Sequence, residues 1–145
     1  MTEVRPIRAI DARTVRHPVL REGLPPESAI LDRDDDPTTF HFGAYDGERL
    51  VAVATFFPEE CPGRPGRRAW RLRGMATLRE ARGRGAGRAL VERGLRVARE
   101  DAAGLVWCQA RVTARGFYEK LGFAAEGDPF ELPRTGRHYV MIKEL

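Results

Sequence analysis

The alternation, runs and recurrences of apolar positions predict most of the chain's elements. Trp70, Leu72, Gly74 and Ala76 alternate with Arg71, Arg73, Met75 and Thr77, a period of two that suits a strand. From Ala86 to Glu100, Leu90, Val91, Leu95 and Ala98 recur at helical spacing with Arg and Glu between them. Upstream, Glu3 to Ile10 reads as a first strand anchored by Val4, Ile7 and Ile10, and Asp11 as the N-cap of a helix to Leu20 that Pro18 interrupts. Thr38 to Tyr45 and Leu50 to Pro58 read as strands joined by a hairpin at Asp46-Gly47. Between the first helix and that hairpin, Arg21 to Pro37 is polar, with Pro25, Pro26 and the Asp32, Asp34, Asp35, Asp36 cluster, and reads as a solvated loop. Its sharper reading is an electrostatic lure for a cationic acceptor. Downstream, Gly104 to Gln109 suits a buried strand, Thr113 to Leu121 a helix stopped by Gly122, and Phe123 to Phe130 with Arg137 to Lys143 a closing hairpin. With no repeat, linker or shift of composition, the expectation is a single domain over 1–145.

The junction of the Trp70 strand and the Ala86 helix carries the first chemistry. Gly83, Gly85 and Gly87 crowd together, where side chains would keep a ligand from the backbone. A glycine turn opening a helix leaves backbone N–H groups free at the positive end of the helix dipole, an anion site suited to phosphate. Arg82, Arg84 and Arg88 add full charge at the same place. The turn lacks the Gly-Lys-Ser/Thr ending of a nucleoside triphosphate loop and the G-x-G-x-x-G spacing of a dinucleotide fold. It does match R-x-x-G-x-G, as Arg82-Gly83-Arg84-Gly85-Ala86-Gly87. After a strand and opening a helix, that segment resembles the pyrophosphate-binding motif of the GNAT superfamily, the acyl-CoA-dependent N-acyltransferases.

A second segment agrees. Ala114-Arg115-Gly116-Phe117-Tyr118-Glu119-Lys120-Leu121-Gly122-Phe123 resembles the A-x-x-F-Y-x-K-x-G-F stretch that follows the fifth strand in GNAT enzymes. As plain structure it is a short amphipathic helix with Phe117, Tyr118 and Leu121 in the core. The element order β-α-loop-β-β-β-α-β-α-β-β extends the resemblance from Val4 to Lys143. It implies a mixed α+β fold with a largely antiparallel sheet of six to seven strands flanked by helices.

The resemblance also implies direct acyl transfer from acetyl-CoA to a primary amine of a small molecule, amino acid or peptide, with no metal. The strand bearing Met75, Ala76 and Thr77 would splay from the Gly104 to Gln109 strand. The pantetheine arm would then bind the exposed backbone, and an N–H near Met75 or Ala76 would hold the oxyanion. Arg82, Gly83, Arg84, Gly85, Ala86, Gly87 and Arg88 would take the diphosphate, with Ala114, Phe117 and Tyr118 nearer the thioester. Tyr118, a phenol of ordinary pKa near 10, would protonate a leaving thiol of roughly 8.5. Where the family often has Asn, seven residues before that Tyr, this chain has Arg111, which would bind a phosphate or face solvent. Many relatives carry a basic Glu on the strand before the glycines, where this chain has Arg71 and Arg73. The bases left are Glu59 or Glu60 at a strand end, His41 or His138, or a chain of water.

Composition bounds the alternatives. The 145 residues suffice to bury roughly 70% of the unfolded surface. The longest apolar run, Leu50 to Phe57, is far short of a membrane span, so no membrane partner is expected. Cys61 and Cys108 read as reduced thiols in the cytoplasm, and Cys108 as a packed strand residue rather than a nucleophile. The net charge of +4 suits an anionic cofactor and equally nucleic acid. No aromatic is interleaved with the Arg residues of the Pro58 to Ala69 loop, so nucleic acid is not the expected partner. The other readings are an acyl-CoA sensor without turnover and an Arg-rich nucleic-acid-binding domain. A homodimer is compatible with all of them.

Overall fold

The computed structural model describes residues 2–145. The strands are β1 (Thr2–Pro6), β2 (Phe40–Asp46), β3 (Arg49–Pro58), β4 (Ala69–Thr77), β5 (Leu105–Arg111), β6 (Ala124–Leu132) and β7 (Gly136–Glu144). The helices are α1 (Ala9–Leu20), α2 (Ala86–Glu100) and α3 (Arg115–Lys120), with single 3-10 turns at Pro26–Ala29, Arg79–Ala81 and Val112–Ala114. One seven-stranded sheet runs in the order β1-β2-β3-β4-β5-β7-β6, with β4 and β5 parallel. The pairs β1–β2, β2–β3, β5–β7 and β6–β7 are antiparallel. The mixed, largely antiparallel sheet flanked by helices is the expected architecture. Among the described residues, no helix is long and apolar enough to cross a membrane. The chain divides into two compact units, Met1–Phe57 with Leu72–Val97, and Pro58–Arg71 with Ala98–Leu145.

In the first unit β1 ends earlier than its apolar pattern predicts, at Pro6 rather than Ile10. The Ile7 N–H still donates to the His41 carbonyl at 3.0 Å, and the chain then turns at Arg8 into α1. The cap of α1 moves with it: Arg8, at ψ 158, is the N-cap, and its carbonyl accepts the Ala12 N–H at 3.1 Å. Asp11 instead lies in the first turn, where Oδ2 accepts the Arg8 N–H at 3.2 Å, favourable beside the helix dipole. Ile10 therefore falls on the outer side of α1 and is 58% exposed instead of anchoring a strand. Pro18 stays within the helix, which continues to Leu20. Ala12 and Val15 pack with Val53 and Ala76, and Ile7 and Leu50 close over them. Helix α2 approaches β3 so closely that a Cβ at Gly94 would overlap the Phe56 ring.

The Arg21 to Pro37 segment is not simply solvated. Arg16 is 1% exposed on the inner face of α1 and forms a bidentate pair with Asp34, Nη1 to Oδ2 at 2.7 Å and Nη2 to Oδ1 at 3.0 Å. Its remaining Nη protons go to the Ala29 carbonyl and to Thr55 Oγ1. Asp32 and Asp35 are the exposed members of the cluster. Gly74, at φ +65 in β4, completes the arrangement: a Cβ there would come within 2.8 Å of Arg16 Nε. A strand residue in the left-handed region bends β4 immediately before Met75.

In the second unit β5 begins at Leu105 and runs to Arg111, and Phe123 lies in the turn before β6. Cys61, Ala69, Leu105, Trp107 and Ile142 form a core on one face of the sheet. The parallel pairing is Ala69 with Leu105, Trp70 with Val106 and Arg71 with Trp107; β5 then pairs with β7 through Arg111 opposite His138. The expected Thr113 to Leu121 helix is a 3-10 turn followed by α3. Gly122, at φ +92, ends it as anticipated.

Candidate functional site

The first unit holds the glycine turn. Gly83 and Gly85 take φ +79 and +84, and a Cβ on either would meet nothing within 4 Å, so the backbone lies open. The Gly85 carbonyl accepts the first bond of α2 from Ala89 at 3.0 Å. Every backbone N–H from Gly83 to Arg88 is without a hydrogen-bond partner among the described residues. The first turn of α2 carries no acidic residue to occupy them. Arg82, Arg84 and Arg88 are exposed around the turn. Arg82 Nε reaches back to the Thr77 carbonyl at 3.3 Å, tying the turn to the end of β4, while Arg84 lies 3.7 Å from Asp46. Met75 and Thr77 are half-buried beside the buried Ala76. Arg88 Nε donates to Glu92 Oε1 at 2.8 Å. Free N–H groups, absent side chains and neighbouring cations together fit a diphosphate.

The second unit holds Tyr118. Its ring is 6% exposed and packs edge-on against Phe123 at 5.5 Å and Phe117 at 5.0 Å. Phe117 itself is 38% exposed, so the reading that put it in the core is corrected: on a helix this short only Tyr118 turns fully inward. The Tyr118 hydroxyl makes no hydrogen bond among the described residues, yet it is not one of the sealed, partnerless polar atoms. Its oxygen therefore touches solvent while the ring is covered. Burial, with the nearby Cys108 thiol, pushes the phenol well above its ordinary pKa. The same burial pushes the Cys108 thiol up to about 12, which leaves it inert as a nucleophile. Ala114 ends the 3-10 turn that leads into α3.

The opposite face of this unit's sheet carries a polar row. Arg71 Nη1 donates to Glu59 Oε2 at 2.9 Å and Nη2 to Gln109 Oε1 at 3.1 Å, with the guanidinium 4.8 Å from the centre of the Trp107 ring. Further along, Arg111 lies opposite His138. His138 is 5% exposed, and its Nδ1 lies 2.9 Å from the Gly136 carbonyl. A carbonyl only accepts, so Nδ1 carries the proton and the neutral ring keeps its lone pair on Nε2.

The other base candidates are differently placed. His41, in the first unit, has Nε2 2.8 Å from the Asp34 carbonyl and Nδ1 2.8 Å from Thr55 Oγ1, so neither nitrogen is spare. Glu60 is exposed and accepts the Gly66 N–H at 3.2 Å. What sequence reading missed is the Arg16–Asp34–Thr55–His41 network. Its one signal is an Arg four residues after Ala12 on the apolar face of α1.

The comparisons agree with this geometry. The model of the acetyltransferase (GNAT) family matches residues 6–123. A Bacillus subtilis (strain 168) protein, uncharacterized N-acetyltransferase YitI, is 37% identical over 145 residues, covering 100% of this chain and 97% of the relative. Among solved structures, the NatC complex bound to Gag peptide and CoA superposes with a TM-score of 0.79 at 16% identity, covering 99% of this chain and 98% of that one. The ribosomal-protein-S18-alanine N-acetyltransferase of Escherichia coli gives 0.76, also at 16% identity, covering 99% and 94%. A family match over most of the chain, a relative of nearly equal length and the same fold lead to one conclusion: this chain belongs to the GNAT acetyltransferase family.

Proposed function

We propose that the protein is an acetyl-CoA-dependent N-acetyltransferase that acylates a primary amine directly. The row of unpartnered N–H groups from Gly83 to Arg88 carries this reading, because it supplies the donors a CoA diphosphate needs. The first unit holds the diphosphate and presents the Met75 to Thr77 backbone for the oxyanion. Tyr118 keeps its proton at any working pH, so it stabilises the departing thiolate by donating a hydrogen bond. Full proton transfer to a sulfur of ordinary thiol pKa runs uphill from a phenol raised by burial. His138 Nε2 takes the proton of the attacking amine. Glu59 is the second base, its carboxylate shared with Arg71. Two free, buried thiols fit a reducing cytoplasm.

The test is calorimetric titration with acetyl-CoA, alongside Gly87→Glu. The wild type is expected to bind in the micromolar range, about −8 kcal/mol. The new carboxylate would occupy the N–H groups at the start of α2 and raise Kd by about 100-fold or more. The fold is expected to survive, since an acidic residue suits a helix N-terminus. Absence of heat with folded wild type, or unchanged affinity in Gly87→Glu, would reduce the glycine turn to a turn.

A further inference from the structure

The polar row on the second unit's sheet bears on the acceptor. Along β5, Leu105 and Trp107 are buried in the Cys61 core, but Gln109 and Arg111 continue the same face as half-buried polar groups. Across on β7, Val140 and His138 continue it opposite them. Phe130 walls the end, its ring 6.2 Å from that of His138. Of the two cations on this face, Arg71 is neutralised by Glu59 and oriented by Gln109. The Arg111 side chain makes no hydrogen bond or ion pair with any described residue.

A half-buried arginine without a counter-charge, opposite a histidine whose Nε2 makes no hydrogen bond among the described residues, is an incomplete constellation. One planar, singly charged fork matches a carboxylate. The register narrows the ligand further. Arg111 and His138 are direct cross-strand partners on one face of the sheet, so one ligand carrying both an anion and an amine can engage both. We propose that the acceptor is a free amino acid, its carboxylate held by Arg111 and its amine delivered to His138. This rests on the acetyltransferase reading above and adds the substrate class to it. It sets aside peptide N-termini, which lack a carboxylate near the amine, and polyamines, which Arg111 repels.

The test compares amino acids with their carboxamides, matched in side chain, by thiol release from acetyl-CoA. The wild type is expected to favour the acid by about 30-fold or more in kcat/KM. Arg111→Gln is expected to bring that ratio toward one, and Arg111→Lys to restore part of it. Calorimetry with acetyl-CoA runs on the same proteins. Unchanged Kd in Arg111→Gln supports the assignment; a Kd raised in step with the loss of activity would move Arg111 to a cofactor phosphate and overturn it. Equal or better use of the carboxamides, or acetyl-CoA binding with neither class acetylated, overturns it as well. Wild type that binds no acetyl-CoA fails the parent reading first, and the calorimetry separates that case.

Discussion

Each unit places an arginine, a carboxylate and a histidine together, and the two sets behave differently. In the first, Arg16, Asp34, Thr55 and His41 are all buried and spend almost every donor and acceptor on one another, with Arg16 Nε alone sealed without a partner. In the second, the ion pair of Arg71 and Glu59 is made, but Arg111 has no counter-charge and His138 keeps a lone pair on Nε2. Residue type does not separate the two sets; spare valence does. A saturated network fixes α1, the 30–36 segment and the bend at Gly74 in one arrangement. An unsaturated one on a half-buried face has donors and acceptors left for a substrate.

The largest effect is expected in the saturated set. Asp34→Ala leaves the Arg16 guanidinium buried without its partner and is expected to cost about 3–5 kcal/mol, read from urea unfolding. A loss under 1 kcal/mol would mean that solvent reaches the network. Next, Tyr118→Phe keeps the packed ring and removes the donor. It is expected to lower kcat by about 100-fold with little change in acetyl-CoA affinity, and unchanged kcat would remove Tyr118 from the departing sulfur.

A smaller effect follows from pH. Burial opposes ionisation of Asp34, but hydrogen bonds from Arg16 and the Leu31 N–H, with the charges of Arg16 and His41, outweigh it and hold the carboxyl below its ordinary value of 3.8. A group depressed in the folded state stabilises above its unfolded pKa and loses that contribution as pH falls through the folded one. Stability is therefore expected to fall below about pH 4, and less steeply in Asp34→Asn. Equal slopes would show that other carboxylates carry the acid transition.

The fold was legible because its signals are local. The alternation at Trp70 to Thr77 and the apolar stripe from Ala86 gave β4 and α2 nearly to the residue, and Asp46-Gly47 gave the hairpin. The glycine turn was legible for the same reason, since a helix start and its free N–H groups are set by adjacent residues. Asp34 was misread as solvated because its partner, Arg16, is 18 residues away and only the folded chain joins them. The N-cap of α1 slipped from Asp11 to Arg8 because Asp11 acts from the first turn, a role the same residue type plays equally well. The two histidines look alike in sequence, and only their hydrogen bonds separate them.

Those histidines give the most direct test of the central claim that spare valence marks the chemistry. His41→Gln and His138→Gln would be compared by urea midpoint and by kcat/KM, with acetyl-CoA and an amino acid acceptor. The account predicts that His41→Gln lowers the midpoint and keeps kcat/KM of the folded protein within a few-fold. It predicts that His138→Gln keeps the midpoint and lowers kcat/KM about 100-fold. The reverse pattern would contradict it.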